Sequence, residues 1–282
     1  MNPFSNPDIR LLVLDIDGTI AGESNSIRQP VIEAVRAAQA KGIKVAIATG
    51  RLYQSALRFY EAIGSTLPLI AYEGALIREP QTGIVHRHWS IDPQIAAQLL
   101  DYLEANDWGE RLSIHLHIED KLYIRKFNAT TLAYLEQSQF KAILVSDLRQ
   151  VLDQGITKVK ALSQDCQVIT ELFNSLRQYY SPAQLYLNQY QETSLEAVHP
   201  SVNKGVAVNY LAETLMALKP ENVMAIGNEF NDVEMLEYAG IGVAMGNAPE
   251  GVKAIADWVA PSIEADGVAI AIQTWILDAN PY

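Results

Sequence analysis

Two aspartates close together near the start of the sequence could do chemistry on an anionic group. Asp15 and Asp17 follow a run of four apolar residues and precede a Gly-Thr turn, so solvation alone does not explain the pair. The segment 228–232, which reads Asn-Glu-Phe-Asn-Asp, offers further carboxylate and amide oxygens. Such oxygens are the ligands suited to Mg²⁺. A cation there would reduce the repulsion between a carboxylate and an approaching phosphoryl group, so that the carboxylate could attack phosphorus.

Other positions offer donors for the oxygens of a phosphoryl group. Thr49 and the backbone amide of Gly50 follow a second apolar run, and Lys204 stands at the start of a later helical pattern. Each feature alone is weak evidence, because paired aspartates and Thr-Gly-Arg sequences are common in loops and most lysines are solvated. Their joint occurrence in this order, each at a predicted strand end or helix start, indicates a single site.

The elements predicted around these residues are those of a parallel α/β sheet. Segments 11–14, 44–48 and 69–71 are apolar runs, as expected for strands that are buried on both faces. Helical patterns at 30–40 and 52–63 connect them. This alternation with short connections predicts a doubly wound parallel sheet. Ligands of such sheets bind beyond the carboxyl ends of the strands, where the polar residues above are predicted to lie.

The middle of the sequence has a different pattern. Segments of high β-propensity between residues 84 and 126 alternate with helical stretches, which is typical of an α+β module with a largely antiparallel sheet. From about Asn203 the alternation of helices and strands resumes. We therefore predict a Rossmann-like core domain formed by residues 1–82 and 190–282, with a second domain, residues 83–189, inserted in it.

Composition restricts the class of partner. The 282 residues are 49% apolar and 19% charged, as in ordinary globular domains, which excludes long-range disorder. A net charge of −12 argues against nucleic acid or an anionic membrane as the main partner. The longest stretch without strongly polar residues, 239–246, is too short to span a membrane. Because Cys166 is the only cysteine and no secretory signal is visible, we expect a cytoplasmic protein.

Taken together, the four polar segments resemble the four motifs of the haloacid dehalogenase (HAD) superfamily. These segments are Asp15–Thr19, Thr49–Arg51, Lys204–Gly205 and Gly227–Asp232. The insertion and the C-terminal segment 246–269 resemble the Cof-type branch, whose inserted domain is a C2 cap. The resemblance covers essentially the whole chain. It implies the HAD fold and a Mg²⁺-dependent phosphatase that acts on a small phosphorylated metabolite, for example a sugar phosphate.

The same resemblance implies a role for each matching residue. Asp15 would be the nucleophile that forms an aspartyl-phosphate. Asp17 would be the general acid for the leaving alcohol and then the general base for the water, and its backbone carbonyl would bind Mg²⁺. The phosphoryl oxygens would be held by the Ile16 amide, Thr49, Gly50, Lys204 and Asn231. The metal site would comprise Asp15, Asp17, Asn228 and Asp232, the last as a ligand or as an orienting acid beside the metal.

Two positions depart from the family pattern, which usually has Asp in place of Asn228 and Asn in place of Glu73. Asn can still bind Mg²⁺ through its carbonyl oxygen, but the site loses one charge, so we expect weaker metal binding unless Asp232 or Glu229 compensates. Two alternatives stay open. One is a phosphomutase of the same superfamily, which would regenerate a sugar bisphosphate. The other is a weakened module that binds a phosphorylated ligand without turnover.

The histidine pair His115 and His117 falls outside these motifs. Their i, i+2 spacing places both side chains on one face of a predicted strand. No third ligand stands at a spacing typical of zinc sites. We therefore interpret the pair as part of a sheet face in the inserted domain.

Overall fold

The structure is a computed structural model that describes residues 8–105, 108–138 and 141–278. The chain divides into two compact units. The first combines Met1–Arg87 with Asn203–Tyr282, and the second is His88–Val202.

The main sheet of the first unit has five strands, all parallel to their neighbours. In order across the sheet, they are β14 (Trp258–Val259), β13 (Ile241–Ala244), β12 (Val223–Gly227), β1 (Leu11–Leu14) and β2 (Lys44–Ile47). All residues of β1, β12 and β13 are buried, as in the centre of parallel sheets. The chain builds outward from β1 in both directions, so the strand order reverses beside β1. The predicted doubly wound sheet is confirmed.

The first unit also contains α-helices, which connect its strands in the chain. They are α1 (Gln29–Ala40), α2 (Tyr53–Ala62), α6 (Lys204–Asn209), α7 (Val233–Tyr238), α8 (Glu250–Lys253) and α9 (Gly267–Ile272). Helix α6 continues as a π-helix over Tyr210–Leu215, and α9 over Gln273–Leu277. The Asn203 side chain caps α6 by accepting from the Val206 amide at 2.7 Å, which fixes the start of the helix at Lys204.

A small second sheet of this unit contains β3 (Leu69–Ala71), β4 (Leu76–Arg78) and β5 (Val85–His88). Strands β3 and β4 pair antiparallel, and a single parallel bridge joins Ala48 to Ile70. The segment 69–71, which we predicted as the third strand of the parallel sheet, therefore belongs to this small sheet and joins the edge of the main sheet beside β2. A 3₁₀ turn, Tyr72–Gly74, connects β3 to β4.

The second unit is an α+β module with a six-stranded sheet. Its strands, in order, are β10 (Tyr186–Gln191), β11 (Ser194–Val198), β9 (Lys158–Leu162), β6 (Ser113–Ile118), β7 (Lys121–Ile124) and β8 (Ala142–Leu144). All pairs are antiparallel except β7 with β8. Its helices are α3 (Pro93–Glu104), α4 (Ala129–Ser138) and α5 (Cys166–Tyr179). The apolar faces of α3 and α5 form one buried cluster with alternate residues of β6, β9 and β11.

Within the described ranges, none of the helices combines the length and the apolar character that crossing a bilayer requires.

Candidate active site

A buried ion-pair network lies at the carboxyl ends of β1 and β12. Lys204 Nζ donates to Asp15 Oδ1 at 2.7 Å and to Asp232 Oδ1 at 2.6 Å. All three side chains are at most 5% exposed. We call them the Lys204 network. If both carboxylates are ionised, they and the one ammonium group leave an excess negative charge in a low-dielectric environment, which is unfavourable unless a proton or another cation offsets it.

The pKa values of this network follow from its composition. Burial, and next to it the charge of Asp232, raises the pKa of Asp15 to about 7, although Lys204 opposes the shift. Burial alone would lower the pKa of Lys204, but the attraction of Asp15 and Asp232 raises it above the usual value. Lys204 is therefore charged at neutral pH, and any further cation near Asp15 would favour its ionised, nucleophilic form.

Asp232 also shapes the loop that carries Asn228. Its Oδ2 accepts from the backbone amides of Asn228 at 2.8 Å and Glu229 at 3.0 Å. Gly227 has to be a glycine for this packing, because a Cβ there would lie 2.5 Å from the Asp232 Cγ. Both oxygens of Asp232 are thus engaged by protein donors. In this arrangement the residue orients Lys204 and the loop.

Asn228 packs against the turn that follows Asp17. Its Oδ1 accepts from the Thr19 hydroxyl at 2.7 Å, and Thr19 is completely buried. A Cβ on Gly18, whose φ is +80°, would lie 2.4 Å from the Asn228 Nδ2. The structure therefore brings Asn228 to the loop after β1, which carries the other residues of the predicted metal site.

The carboxylate of Asp17 has a different environment from that of Asp15. It is 61% exposed, and both of its oxygens accept from Arg51, at 2.8 Å from Nε and 2.6 Å from Nη2. Arg51 is held in turn by Asn25 Oδ1 at 2.7 Å and by the ring of Phe59, 4.6 Å from its guanidinium carbon. Arg51 was not among the predicted site residues, although it ends the Thr-Gly-Arg segment, so its role as the partner of Asp17 is new.

The remaining predicted phosphate-binding residues are the backbone of Ile16 and the group formed by Thr49, Gly50 and Asn231. The Ile16 carbonyl accepts from three amides of the following turn, residues 19–21, and this fixes the local backbone. Thr49 is fully buried, and its Oγ1 accepts from the Arg51 amide at 3.1 Å. Gly50 and Asn231 both lie against one side chain, that of Glu73.

Glu73 was noted in the sequence only as a departure from the family pattern. Its carboxylate accepts from Asn231 Nδ2 at 3.0 Å and 2.9 Å. It also lies against Gly50, where an added Cβ would be 2.0 Å from Glu73 Oε1. No sequence pattern signals these contacts, because they join residues 23 and 158 positions apart.

The donor set is compatible with Mg²⁺. Among the described residues, no group of three or more His, Cys, Asp or Glu side chains could hold a metal ion. Mg²⁺ does not need one, since it usually keeps several waters and binds one or two carboxylates. Asp15 offers a carboxylate, Asn228 an amide oxygen and Asp17 a backbone carbonyl. The excess negative charge of the Lys204 network is what a divalent cation would neutralise.

Comparison with known proteins decides the family. The family described as haloacid dehalogenase-like hydrolase matches residues 12–272. The chain belongs to this family. Over 270 residues it is 29% identical to the 5-amino-6-(5-phospho-D-ribitylamino)uracil phosphatase YitU of Bacillus subtilis (strain 168), covering 92% of this chain and 94% of that protein. It is 28% identical over 270 residues to YcsE, a phosphatase of the same name from the same organism, covering 96% and 97% of the two chains.

Solved structures agree with this assignment. A crystal structure from Thermotoga maritima superposes with a TM-score of 0.83 at 28% identity, covering 94% of this chain and 97% of that one. The resemblance inferred from the four motifs and the predicted HAD-type α/β fold are therefore confirmed. This member of the HAD family is a phosphatase.

Proposed function

We propose that this phosphatase hydrolyses phosphomonoesters of a small metabolite, with Mg²⁺ as cofactor and an aspartyl-phosphate as intermediate. The observation that supports this best is the Lys204 network. It holds the carboxylate of Asp15 at the sheet edge where the strand order reverses, next to a permanent positive charge. An open doubly wound sheet binds its ligand at that edge.

The reaction would proceed in two displacements. The Asp15 carboxylate attacks phosphorus, the bond to the ester oxygen breaks, and the departing alkoxide takes a proton from Asp17. Asp17 then removes a proton from water, which attacks the aspartyl-phosphate, releases inorganic phosphate and restores the Asp15 carboxylate. Lys204, Thr49 and the Gly50 amide would hold the phosphoryl oxygens. Mg²⁺, when bound by Asp15, the Asp17 carbonyl and Asn228, would neutralise charge shared by Asp15 and the phosphoryl group.

Arg51 has a part in the proton transfers as the partner of Asp17. Its two hydrogen bonds fix the orientation of the Asp17 carboxylate. We therefore propose that Arg51 positions Asp17.

For the substrate, we propose a phosphorylated sugar or sugar alcohol. YitU and YcsE are named for a phosphate ester on a ribityl chain, and polyol phosphates of this kind are small anions with many hydroxyl groups. We further propose that the inserted second unit acts as the cap domain that selects the substrate. A cytoplasmic location, for which the single cysteine is the support, completes the proposal.

A weakened phosphate-binding module is the second candidate, because Asn228 replaces the usual acid. Release of free phosphate from p-nitrophenyl phosphate in Mg²⁺ distinguishes the two. We expect the wild-type chain to release phosphate and Asp15→Asn to be at least about 10³-fold slower, since the nucleophile is lost. Asp153→Asn, on the surface of the second unit, is the control and should retain the full rate.

Near wild-type hydrolysis by Asp15→Asn would refute the mechanism, and phosphate binding without release by the wild-type chain would favour the second candidate. A panel of sugar and sugar-alcohol phosphates, including the ribitylaminouracil phosphate, then tests the substrate class. Transfer of phosphate to a sugar monophosphate instead of water would indicate a phosphomutase.

A further inference from the structure

The turn that carries Glu73 has an unusual backbone. Tyr72 and Glu73 both lie in the left-handed region, with φ of +54° and +58°, and Gly74 follows at +98°. Consecutive non-glycine residues in this region are strained and persist only where surrounding contacts hold them. One such contact is clear, since a Cβ on Gly74 would lie 2.6 Å from the carbonyl oxygen of Asn203, the residue before Lys204. The turn is thus packed against the start of α6.

This backbone directs the Glu73 side chain to Asn231. An ionised carboxylate only accepts hydrogen bonds, so the Asn231 amide has to present its NH₂ group to Glu73. The other end of the amide, Oδ1, then points away from Glu73. It is buried and has no hydrogen-bond donor within the part of the chain that the structure describes. Glu73 therefore holds the NH₂ group, which is the only part of the Asn231 side-chain amide that could donate to a phosphoryl oxygen.

Glu73 also brings negative charge to the residues proposed to bind phosphate. Its carboxylate lies against Gly50, and its charge is one of those that raise the pKa of Lys204. Relative to the family pattern, the chain lacks an acid at Asn228 and has an additional one at Glu73. Compared with that pattern, the proposed metal site thus has one negative charge less, and the proposed phosphate site has one negative charge more beside it.

We infer that Glu73 is a positioning residue of the phosphate site, and that it acts through Asn231. It links the loop after β2 to the loop after β12, fixes the orientation of the Asn231 amide, and weakens the binding of the phosphoryl anion by its charge. The inference rests on the proposed function, because it takes Gly50, Lys204 and Asn231 as phosphate-binding residues.

Two substitutions separate the charge of Glu73 from its hydrogen bonds. Glu73→Gln keeps an acceptor for Asn231 but removes the charge, so KM for p-nitrophenyl phosphate and the inhibition constant of inorganic phosphate should both fall by about threefold to tenfold, with kcat within about twofold of the wild type. Glu73→Ala removes both, so kcat should fall by about tenfold as Asn231 loses its partner. Glu61→Gln, on the exposed face of α2, is the matched control.

A double-mutant cycle with Asn231→Ala tests whether Glu73 acts through that residue. We expect the double variant Glu73→Ala with Asn231→Ala to have the same kcat as Asn231→Ala alone, whereas independent roles would make the two losses multiply. Thermal unfolding of each variant identifies any that fails to fold. The isosteric Glu73→Gln keeps the inference testable in that case.

Unchanged KM and phosphate inhibition in Glu73→Gln, or multiplicative losses in the cycle, would overturn the inference. Calorimetric titration with inorganic phosphate measures the same binding without turnover. Absence of hydrolysis by the wild-type chain would therefore refute the proposed function, while tighter phosphate binding by Glu73→Gln would still support the role of Glu73.

Discussion

At the scale of single residues, the acids of the site differ in how their charge is compensated. Asp15 and Asp232 share one buried lysine, whereas the exposed Asp17 pairs with the half-buried Arg51. Glu73 accepts from the side-chain amide of Asn231. A second cation would therefore be stabilised most beside Asp15 and Asp232, where burial is greatest and one negative charge is uncompensated. A divalent metal at this position would change the net charge of the Lys204 network from negative to positive without displacing Lys204, and an arriving phosphoryl anion would offset that positive charge.

Asn228→Asp tests the contribution of charge to the metal site. The substitution keeps an oxygen donor in nearly the same place and adds a full negative charge, whose attraction to a charge about 4 Å away is about 4 kcal/mol at an effective dielectric constant of 20, before hydration offsets much of it. We expect the Mg²⁺ concentration for half-maximal phosphatase activity to fall by at least about tenfold. Asp232→Asn should raise it, because the loop that carries Asn228 loses its charged acceptor.

Metal titrations of the wild-type chain and the two variants measure this effect. An unchanged half-saturating Mg²⁺ concentration in Asn228→Asp would mean that position 228 is not a ligand. Calorimetric titration with Mg²⁺ alone separates metal binding from catalysis.

Sequence reasoning predicted which polar groups meet at one edge of the sheet but not the contacts among them. Asp15, Thr49 and Asn228 could be identified because each follows a buried strand, and strand ends converge at one edge of a parallel sheet. The pairing of Arg51 with Asp17 and of Glu73 with Asn231 could not. These contacts depend on how loops that are distant in sequence pack against one another. The left-handed backbone at Glu73 could not be predicted either, because the residue there is not a glycine.

At the scale of elements, the sheet of the second unit has one apolar and one polar face. The apolar face packs on α3 and α5, whereas the polar face carries a charged row in which Asn188, Glu196, Lys160 and His115 are successive cross-strand partners. Glu196 accepts from Lys158 at 2.9 Å and pairs with Lys160 at 3.0 Å. Burial alone would raise the pKa of Glu196, but the two lysines have the larger, opposite effect and lower it to about 2. The row therefore stays charged at neutral pH.

His115 makes the second unit sensitive to acid. Burial, and next to it the charge of Lys160, lowers its pKa to about 4. In the unfolded chain the His115 imidazole takes up a proton near pH 6.5, whereas in the folded chain it stays neutral until the pH approaches 4. Unfolding therefore becomes more favourable as the pH falls from about 6.5 to about 4. Between pH 7 and pH 5 we expect a loss of about 2 kcal/mol in the free energy of unfolding from this residue.

Urea unfolding at the two pH values measures the effect in the wild-type chain and in His115→Gln. The variant should lose about 2 kcal/mol less than the wild type. His199→Gln, in the loop after β11, is the control. A variant with the same pH dependence as the wild type would show that His115 titrates normally in the folded chain.

Elements with strong apolar patterns could be predicted from the sequence, and short exposed ones could not. The helix predicted at 30–40 is α1, and its buried residues Val31, Val35 and Ala38 are the stripe that identified it. Strand β8 was not predicted, because its three residues are half-buried or exposed and form no alternating pattern. Its pairing with β7 is parallel and is set by the sheet rather than by local sequence.

At the scale of the whole molecule, the chain leaves the first unit after residue 87 and returns at residue 203. The residues proposed to bind phosphate come from both segments of the first unit: Asp15 and Thr49 precede the insertion, and Lys204 and Asn231 follow it. A phosphate ion bound there would therefore join the two segments. The second unit is continuous and has its own buried cluster, so it can unfold while the first stays intact.

Hydrogen exchange of the full chain with inorganic phosphate and Mg²⁺ tests this division. A ligand that binds only the folded state stabilises it by about 2.7 kcal/mol at one hundred times Kd, which slows exchange through unfolding by about one hundredfold. We expect this protection in peptides from β1 and β12 and no change in peptides from β6 and β9, relative to chloride at the same ionic strength. Equal protection of both sets would contradict this expectation, because it would mean that the two units unfold as a single cooperative structure.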